Sequence, residues 1–289
     1  MSKPPPPLLQ YEKNYTSQFG EDGILERALE LLPALDRWCV EFGAWDGKYL
    51  SNTYSLIEKH EYSGVMIEAD PEKFVELNQT YASRTNIITL NKLVEFAGKN
   101  SLDNLLSAHP IPKNFDVLSM DIDGNDYHVW DSLKNYRPKI VVIEYNPTIP
   151  NEVDFVQPKD MRVSQGSSLA ALYRLARAKG YRLIHATTVN GIFVDEIYFP
   201  CFGIDDDDPA LLRANLSPIT HFFQTFDGQI HIAGNPTMLW HDIPIDPAQL
   251  QVLPKWLRTY PLLFTKIQQL GWKAYCQYRK LRGRPQKSS

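Results

Sequence analysis

No aspartate or glutamate occurs after Asp246, although nine of the chain's 30 lysines and arginines do. All 34 acidic residues therefore sit in the first part of the chain against 21 basic ones, so a body of net charge −13 precedes a tail of +9. An acidic body without an aromatic-basic face lacks the electrostatic footprint of a nucleic-acid binder, and no nucleic-acid partner is expected. Cysteine is scarce: Cys39, Cys201 and Cys276 lie far apart and form no Cys-x-x-Cys pair, which excludes a zinc knuckle and a disulfide framework. Cys39, inside an apolar run, is expected to pack in a strand. No run approaches the ~18 apolar residues of a membrane span, and Met1–Pro7 lacks the apolar core of a signal peptide, so a cytoplasmic protein is expected. The Pro4–Pro7 run predicts a stiff, extended tail over residues 1–14.

Glycine, too, is sparing where a dinucleotide enzyme needs it. The run Trp38-Cys39-Val40-Glu41-Phe42-Gly43-Ala44-Trp45-Asp46-Gly47 reads as a buried strand ending in an acid and a two-glycine turn. Without a third glycine the pyrophosphate cradle of an NAD or FAD enzyme is not supported, but a turn that brings backbone close to a ligand is. A second apolar run, Tyr62–Pro71, ends at Glu68, whose carboxylate can accept both hydroxyls of a ribose. Asn86–Leu90, Phe115–Asp121 and Lys139–Glu144 continue the series as strands, with helices expected over 23–32, 72–82, 127–133 and 168–178. Short β-branched runs separated by helix-length polar segments specify a parallel sheet with crossover helices. After a Gly180 stop, strands over 181–186 and 192–198 around Val189-Asn190-Gly191 carry a hairpin signal.

Several motifs in register carry a resemblance. Ser17-Gln18-Phe19-Gly20-Glu21-Asp22-Gly23, Glu41–Gly47, Ser51-Asn52-Thr53, Gly64–Glu68, Asp121-Ile122-Asp123-Gly124-Asn125-Asp126-Tyr127, Ile143–Asn146, Gly180–Leu183 and Asn190–Val194 resemble the FkbM-type branch of the class I S-adenosylmethionine-dependent methyltransferases. They span residues 15 to about 195, roughly two-thirds of the chain. The resemblance implies a Rossmann-like, doubly wound α/β fold whose seven-stranded sheet closes with an antiparallel hairpin. It places the cofactor's methionine end over Gly43, Ala44, Asp46 and Gly47 and its ribose on Glu68. Ser51, Asn52 and Thr53 either reach the cofactor's carboxylate or cap the helix that follows; Gln18 and Asp22 either cover the cofactor or cap the first helix.

Chemistry is expected at the carboxyl ends of strands four and five. Asp121, Asp123, Glu144 and Asn146 offer oxygen ligands from two adjacent strand ends, which suits a hard divalent cation such as Mg²⁺. The set is similar to that of the catechol O-methyltransferases, although Glu144 and Asn146 are here separated by Tyr145. The competing reading has Asp121 touching the cofactor while Asp123, Asn125 and Asp126 build a turn around Gly124. Asp121, Asp123 and His128 are the candidates for taking the proton of an acceptor hydroxyl. The function implied is methyl transfer to an oxygen of a sugar, glycolipid or secondary metabolite, the acceptor being a small molecule or glycan. The alternative is a non-catalytic binding or scaffolding protein on the same fold; a sugar-nucleotide enzyme is disfavoured because no Tyr-x-x-x-Lys pair occupies the expected position.

Domain organisation is expected as a proline-rich tail over 1–14, the cofactor-binding domain over 15–200, an extension over 201–254 forming a lid, an acceptor region or a second packing layer, and a basic amphipathic tail over 255–289. Asp205–Asp208 reads as a solvated capping loop before Pro209. In the tail, apolar residues from Leu263 to Leu281 recur at helical spacing among lysines and arginines, so this helix either lies on an anionic membrane surface as a peripheral contact or docks its stripe on the acidic body. The sequence sets no oligomeric state.

Overall fold

The computed structural model describes residues 6–281. Two compact units divide after Leu216. In the first, strands β1 (Trp38–Phe42), β2 (Ser63–Glu68), β3 (Ile87–Asn91), β4 (Val117–Met120), β5 (Ile140–Glu144), β6 (Tyr181–Ala186) and β7 (Asn190–Asp195) form one sheet in the order β3-β2-β1-β4-β5-β7-β6. The first five pair in parallel, and β7 enters antiparallel between β5 and β6. Helices α1 (Glu21–Leu31), α2 (Tyr54–His60), α3 (Pro71–Thr80), α4 (Leu102–Ser107), α5 (Asp126–Ser132), α6 (Leu169–Ala178) and the short α7 (Pro209–Leu212) alternate with the strands, giving the expected α/β Rossmann-like architecture. Strands β4 and β7 are buried along their whole length, so their apolar residues, Val117, Leu118 and Met120 or Ile192-Phe193-Val194, show no in-out alternation.

Local chemistry explains the element ends. Asp70 accepts from the amides of Glu72 and Lys73 at the start of α3, with Pro71 in the first helical position; Ser168 does the same for α6 through Ala171. The hairpin differs from its expected form. Its turn is Thr187–Val189, and Asn190 already opens β7, because Thr187 and Asn190 exchange backbone and hydroxyl hydrogen bonds across the turn. Gly191 lies in the strand instead, where an added Cβ would meet the Phe193 ring at 2.8 Å.

Three further expectations shift. Of the tail expected over 1–14, residues 1–5 lie outside the described residues; the remainder is docked, since Leu8 is buried, Gly23 N–H donates to the Lys13 carbonyl at 3.0 Å, and the Glu12 carboxylate meets His185 Nε2 at 2.9 Å. The boundary expected at 200 moves to 216. Asp207 is buried between Arg182 (2.5 Å) and Arg177 (3.1 Å), so the acidic run is no wholly solvated loop, and Arg213 donates to the carbonyls of Pro147 and Ile149.

In the second unit, the antiparallel strands β8 (Thr220–Gln224) and β9 (Ile230–Gly234) form one hairpin, β10 (Thr237–Met238) pairs with β11 (Ile243–Pro244), and the last helix is α8 (Lys266–Leu281). Extension and tail, separated in the sequence reading, belong together here: Gln251 holds both the amide and the carbonyl of Ile230, and Tyr275 donates to the Val252 carbonyl.

Candidate active site

The strand order reverses direction between β1 and β4, and the loops leaving these two strands border the crevice where open α/β sheets take ligands. The two loops are in backbone contact. Gly43 has φ +74°, and a Cβ there would stand 1.6 Å from the Asp121 carbonyl oxygen, so only glycine allows β1 and β4 to end side by side. Gly47, at φ +80°, leaves the equivalent space to the side chains of Leu77 and Tyr81. The glycines expected to admit a ligand therefore admit protein on these faces, while Gly43 stays exposed on its other side. Asp46 holds the turn by accepting from the amides of Lys48 (2.9 Å) and Tyr49 (2.6 Å). Trp45 projects its indole outward, 45% exposed, beneath Lys73.

Glu68, at the tip of β2, is 6% exposed, and its two carboxylate oxygens accept from the amides of Trp45 (2.8 Å) and Asp70 (2.7 Å). A carboxylate has about four acceptor positions, so each oxygen keeps capacity for one more donor, as a ribose diol requires. Ala44, also expected on the cofactor, is buried, its amide bonded to the Ile67 carbonyl.

Ser51, Asn52 and Thr53 converge on a strand-end acid to which the sequence assigns no site role. Glu41, the penultimate residue of β1, is 4% exposed and accepts from the Ser51 hydroxyl (2.6 Å), the Asn52 amide (2.8 Å) and the Thr53 hydroxyl (2.8 Å). Burial pushes its carboxyl up in pKa, and these donors work against that shift. Asn52 reaches on to Ser119 of β4, and Ser51 Oγ accepts from the amides of Thr53 and Tyr54 in the turn that leads into α2. Asp22 is engaged as well: one oxygen gathers the amides of Tyr15, Thr16 and Ser17, and the other takes the Ser55 hydroxyl. Gln18 is exposed.

After β4 and β5 the acids cluster. One carboxylate oxygen each from Asp121, Asp123 and Glu144 lie within 4.8 Å of one another. Asp126, 2% exposed, turns inward and accepts from the amides of Ile122 (3.1 Å) and Gly124 (3.1 Å), as the turn reading expected. Asp123 sits at φ +55° in the left-handed region that aspartate tolerates. Asp121 is exposed to solvent, but protein atoms crowd its carboxyl, and this desolvation, then repulsion from Asp126, Asp123 and Glu41, pushes it up to about 7. Desolvation, then repulsion from Asp121, Asp126 and Asp123, raises Glu144 to about 10, and burial raises Asp126 to about 6. Among the described residues, the principal groups acting on these carboxyls include no cation.

Two expected members stand apart. Asn146 turns its Oδ1 to the amide and hydroxyl of Thr148 (3.0 and 2.7 Å) and its Nδ2 to the Gln165 carbonyl, so its side chain organises the loop leaving β5. His128, 8% exposed, bonds the Gln157 carbonyl through Nε2 at 2.9 Å. A carbonyl can only accept, so Nε2 is the donor there, and this bond ties the His128 ring to the loop that carries Gln157. That loop, residues 145–168 between β5 and α6, lacks helix and strand throughout, a length that marks functional loops. Gln157 is its hub, 1% exposed, accepting from the amides of Gln165 and Gly166 and donating to the Val163 carbonyl. Gly124 makes room for it: a Cβ there would meet Gln157 Oε1 at 2.8 Å. Asn125 adds hydrogen bonds to the carbonyls of Asp160 and Val163.

Residues 97–183, which include this loop and the acid cluster, match the model of the Methyltransferase FkbM domain. No curated protein sequence matches the chain. Among solved structures, the CMeT domain of the citrinin polyketide synthase is similar over 61% of this chain and 51% of its own, at 13% identity and a TM-score of 0.41. The CurJ carbon methyltransferase aligns over 61% of this chain and 52% of its own, at 10% identity and a TM-score of 0.43. TrmK of M. capricolum, solved with the cofactor product S-adenosyl-homocysteine, aligns over 59% and 67%, at 10% identity and a TM-score of 0.38. The chain thus spans about half the length of the first two.

Proposed function

We propose that the chain is an S-adenosylmethionine-dependent methyltransferase acting on a hydroxyl of a small molecule or glycan. The observation that carries this reading is the coincidence, at the β1/β4 crevice, of a diol-accepting carboxylate on β2 with a carboxylate cluster lying inside the segment that matches a methyltransferase domain. S-adenosylmethionine supplies an electrophilic methyl group on a sulfonium. Glu68 holds the ribose with its remaining acceptor capacity, and the exposed side of Gly43 gives the methionine end its floor. Asp121 accepts the proton of the acceptor hydroxyl, its raised pKa making it a stronger base than an ordinary aspartate. Asp123 and Glu144 orient that hydroxyl.

The three crowded carboxylates also suit a divalent cation, which would offset their mutual repulsion; Asp121, Asp123 and Glu144 would supply its protein ligands, without Asn146. Mg²⁺ should then raise the melting temperature, EDTA should reverse the gain, and Glu144→Gln should abolish the response while the protein stays folded. One observation favours the non-catalytic reading: protein already fills the faces freed by Gly43 and Gly47. Titration calorimetry with S-adenosylhomocysteine separates the two. Micromolar binding is expected of the methyltransferase, and silence up to millimolar concentration leaves the scaffold.

A further inference from the structure

The unit after Leu216 has a small buried core and a large apolar exterior. Helix α8 spends one face internally. A Cβ at Gly271 would lie 2.1 Å from the Trp256 ring, Tyr275 donates to the Val252 carbonyl at 2.6 Å, Gln268 donates to the Trp256 carbonyl, and the Trp272 ring lies beside Phe264 and Tyr275. Another face carries Ile267, Leu270, Ala274, Tyr278 and Leu281, which recur at three- and four-residue steps and so form one stripe. Ile267 is 78% exposed, Leu270 70% and Leu281 87%. Lys266, Lys273 and Lys280 are spaced by seven, two turns apart, and line one border of that stripe. The apolar surface continues N-terminally through Leu263 and Leu262 to Tyr260, whose ring is 6.0 Å from the outward-facing Phe226 of the β8–β9 hairpin.

We propose that this unit is an interfacial membrane module, in which the stripe of α8, Leu262, Leu263 and Phe226 enter the acyl boundary of a bilayer and the three lysines meet anionic lipid headgroups. Isolated exposed leucines are ordinary, but a run of them continuous over a helix, the turn before it and a hairpin tip is a surface made to be covered. Charge selects what covers it. The unit holds nine basic and three acidic residues, and the acids, Asp227, Asp242 and Asp246, all precede the helix. A second copy would bring like charge against like charge, whereas an anionic leaflet supplies the complement. Lysine stems can lie along the apolar boundary while their ammonium groups stay among the headgroups, which the seven-residue spacing beside the stripe permits at three levels of the helix.

The test uses the full chain and sedimentation with vesicles of phosphatidylcholine, with and without phosphatidylglycerol. Binding to the mixed vesicles is expected, weaker by at least about tenfold on phosphatidylcholine alone and weakened again by salt. Lys266→Glu/Lys273→Glu/Lys280→Glu should lower partitioning by more than about tenfold, and Ile267→Asn/Leu270→Asn should do likewise on mixed vesicles. All five side chains are exposed, so unchanged melting curves are expected and verify that the variants remain folded. Absence of binding to mixed vesicles, equal binding to both vesicle types, or a wild-type dimer that Leu270→Glu dissociates would each overturn the proposal, the last in favour of self-association through the same stripe.

Discussion

The two ends of the sheet treat the same chemical group in opposite ways. At the end where the parallel strands begin, every buried aspartate has a cation. Lys139, 3% exposed, bonds Asp116 and Asp36 at 2.7 Å each; Arg137 pairs with Asp195 at the close of β7; Arg182 and Arg177 hold Asp207. At the end where those strands finish, Glu41, Asp121, Asp126 and Glu144 are raised in pKa by burial and, for Asp121 and Glu144, by one another. One end uses charge to close the fold; the other gathers carboxyls that desolvation and mutual repulsion keep from ionising readily. Unrelieved repulsion lowers stability, so the second arrangement makes physical sense where a ligand, a proton or a cation is to be received.

The comparison breaks most readily at Lys139. Replacing it by methionine strands the fully buried Asp116, and the expected loss is about 3–5 kcal/mol in denaturant unfolding; a loss below about 1 kcal/mol would mean that this end is not held by its ion pairs. Asp121→Asn should do the reverse: turnover should fall by about 10²–10⁴-fold while unfolding stability stays level or rises. A stability loss matching that of Lys139→Met would make the two ends alike and remove the case for a reactive cluster. Glu68→Ala should weaken S-adenosylhomocysteine by about 1.5–3 kcal/mol in calorimetry. An unchanged affinity would move the ribose elsewhere.

The smallest effect is the pH profile of stability, and it has opposite signs at the two ends. Asp121 and Asp126 titrate near 7 and 6 in the folded chain, so between about pH 4 and 7 the folded state holds protons that the unfolded state releases. Their contribution is therefore present at low pH and lost as pH rises. Asp207, whose arginines hold its carboxyl low despite burial, contributes above the ordinary carboxylate range and loses that contribution as pH falls through it. Denaturant midpoints should rise from pH 8 to about 5 and drop below about 4, and Asp121→Asn should flatten only the upper limb. A steady rise from pH 5 to 8 would contradict the assignment.

Much of the first unit was legible because burial on both faces turns parallel strands into apolar runs, each marked by its terminal acid: Glu41, Glu68, Asp121 and Glu144 stand out for that reason. Partners distant in sequence were not legible. That Ser51, Asn52 and Thr53 serve Glu41 depends on a return of the chain over ten residues or more, and the side chains alone fit a cofactor contact or a cap equally well. Asn146 looked like a ligand because its residue type and strand-end position suit one; only the fold of the 145–168 loop reveals that Thr148 has taken its oxygen. Gln157 carried no signal at all, since an isolated glutamine in an irregular stretch has neither periodicity nor motif. Asp207 was hidden in a run of four aspartates, three of which face water as expected.

The contact between Gly43 and the Asp121 carbonyl has a consequence for how this crevice can diversify. A side chain at 43 would force β1 and β4 apart at their tips, so that position admits almost no substitution that leaves the two strand ends in place. The irregular 145–168 loop, which leaves β5, is pinned at Gln157, Asn125 and Asn146 but otherwise free of ladder constraints. If the chain transfers methyl groups as proposed, a library that randomises 150–156 and 158–162 while sparing the pins would sample acceptor preference and leave the Gly43 contact intact.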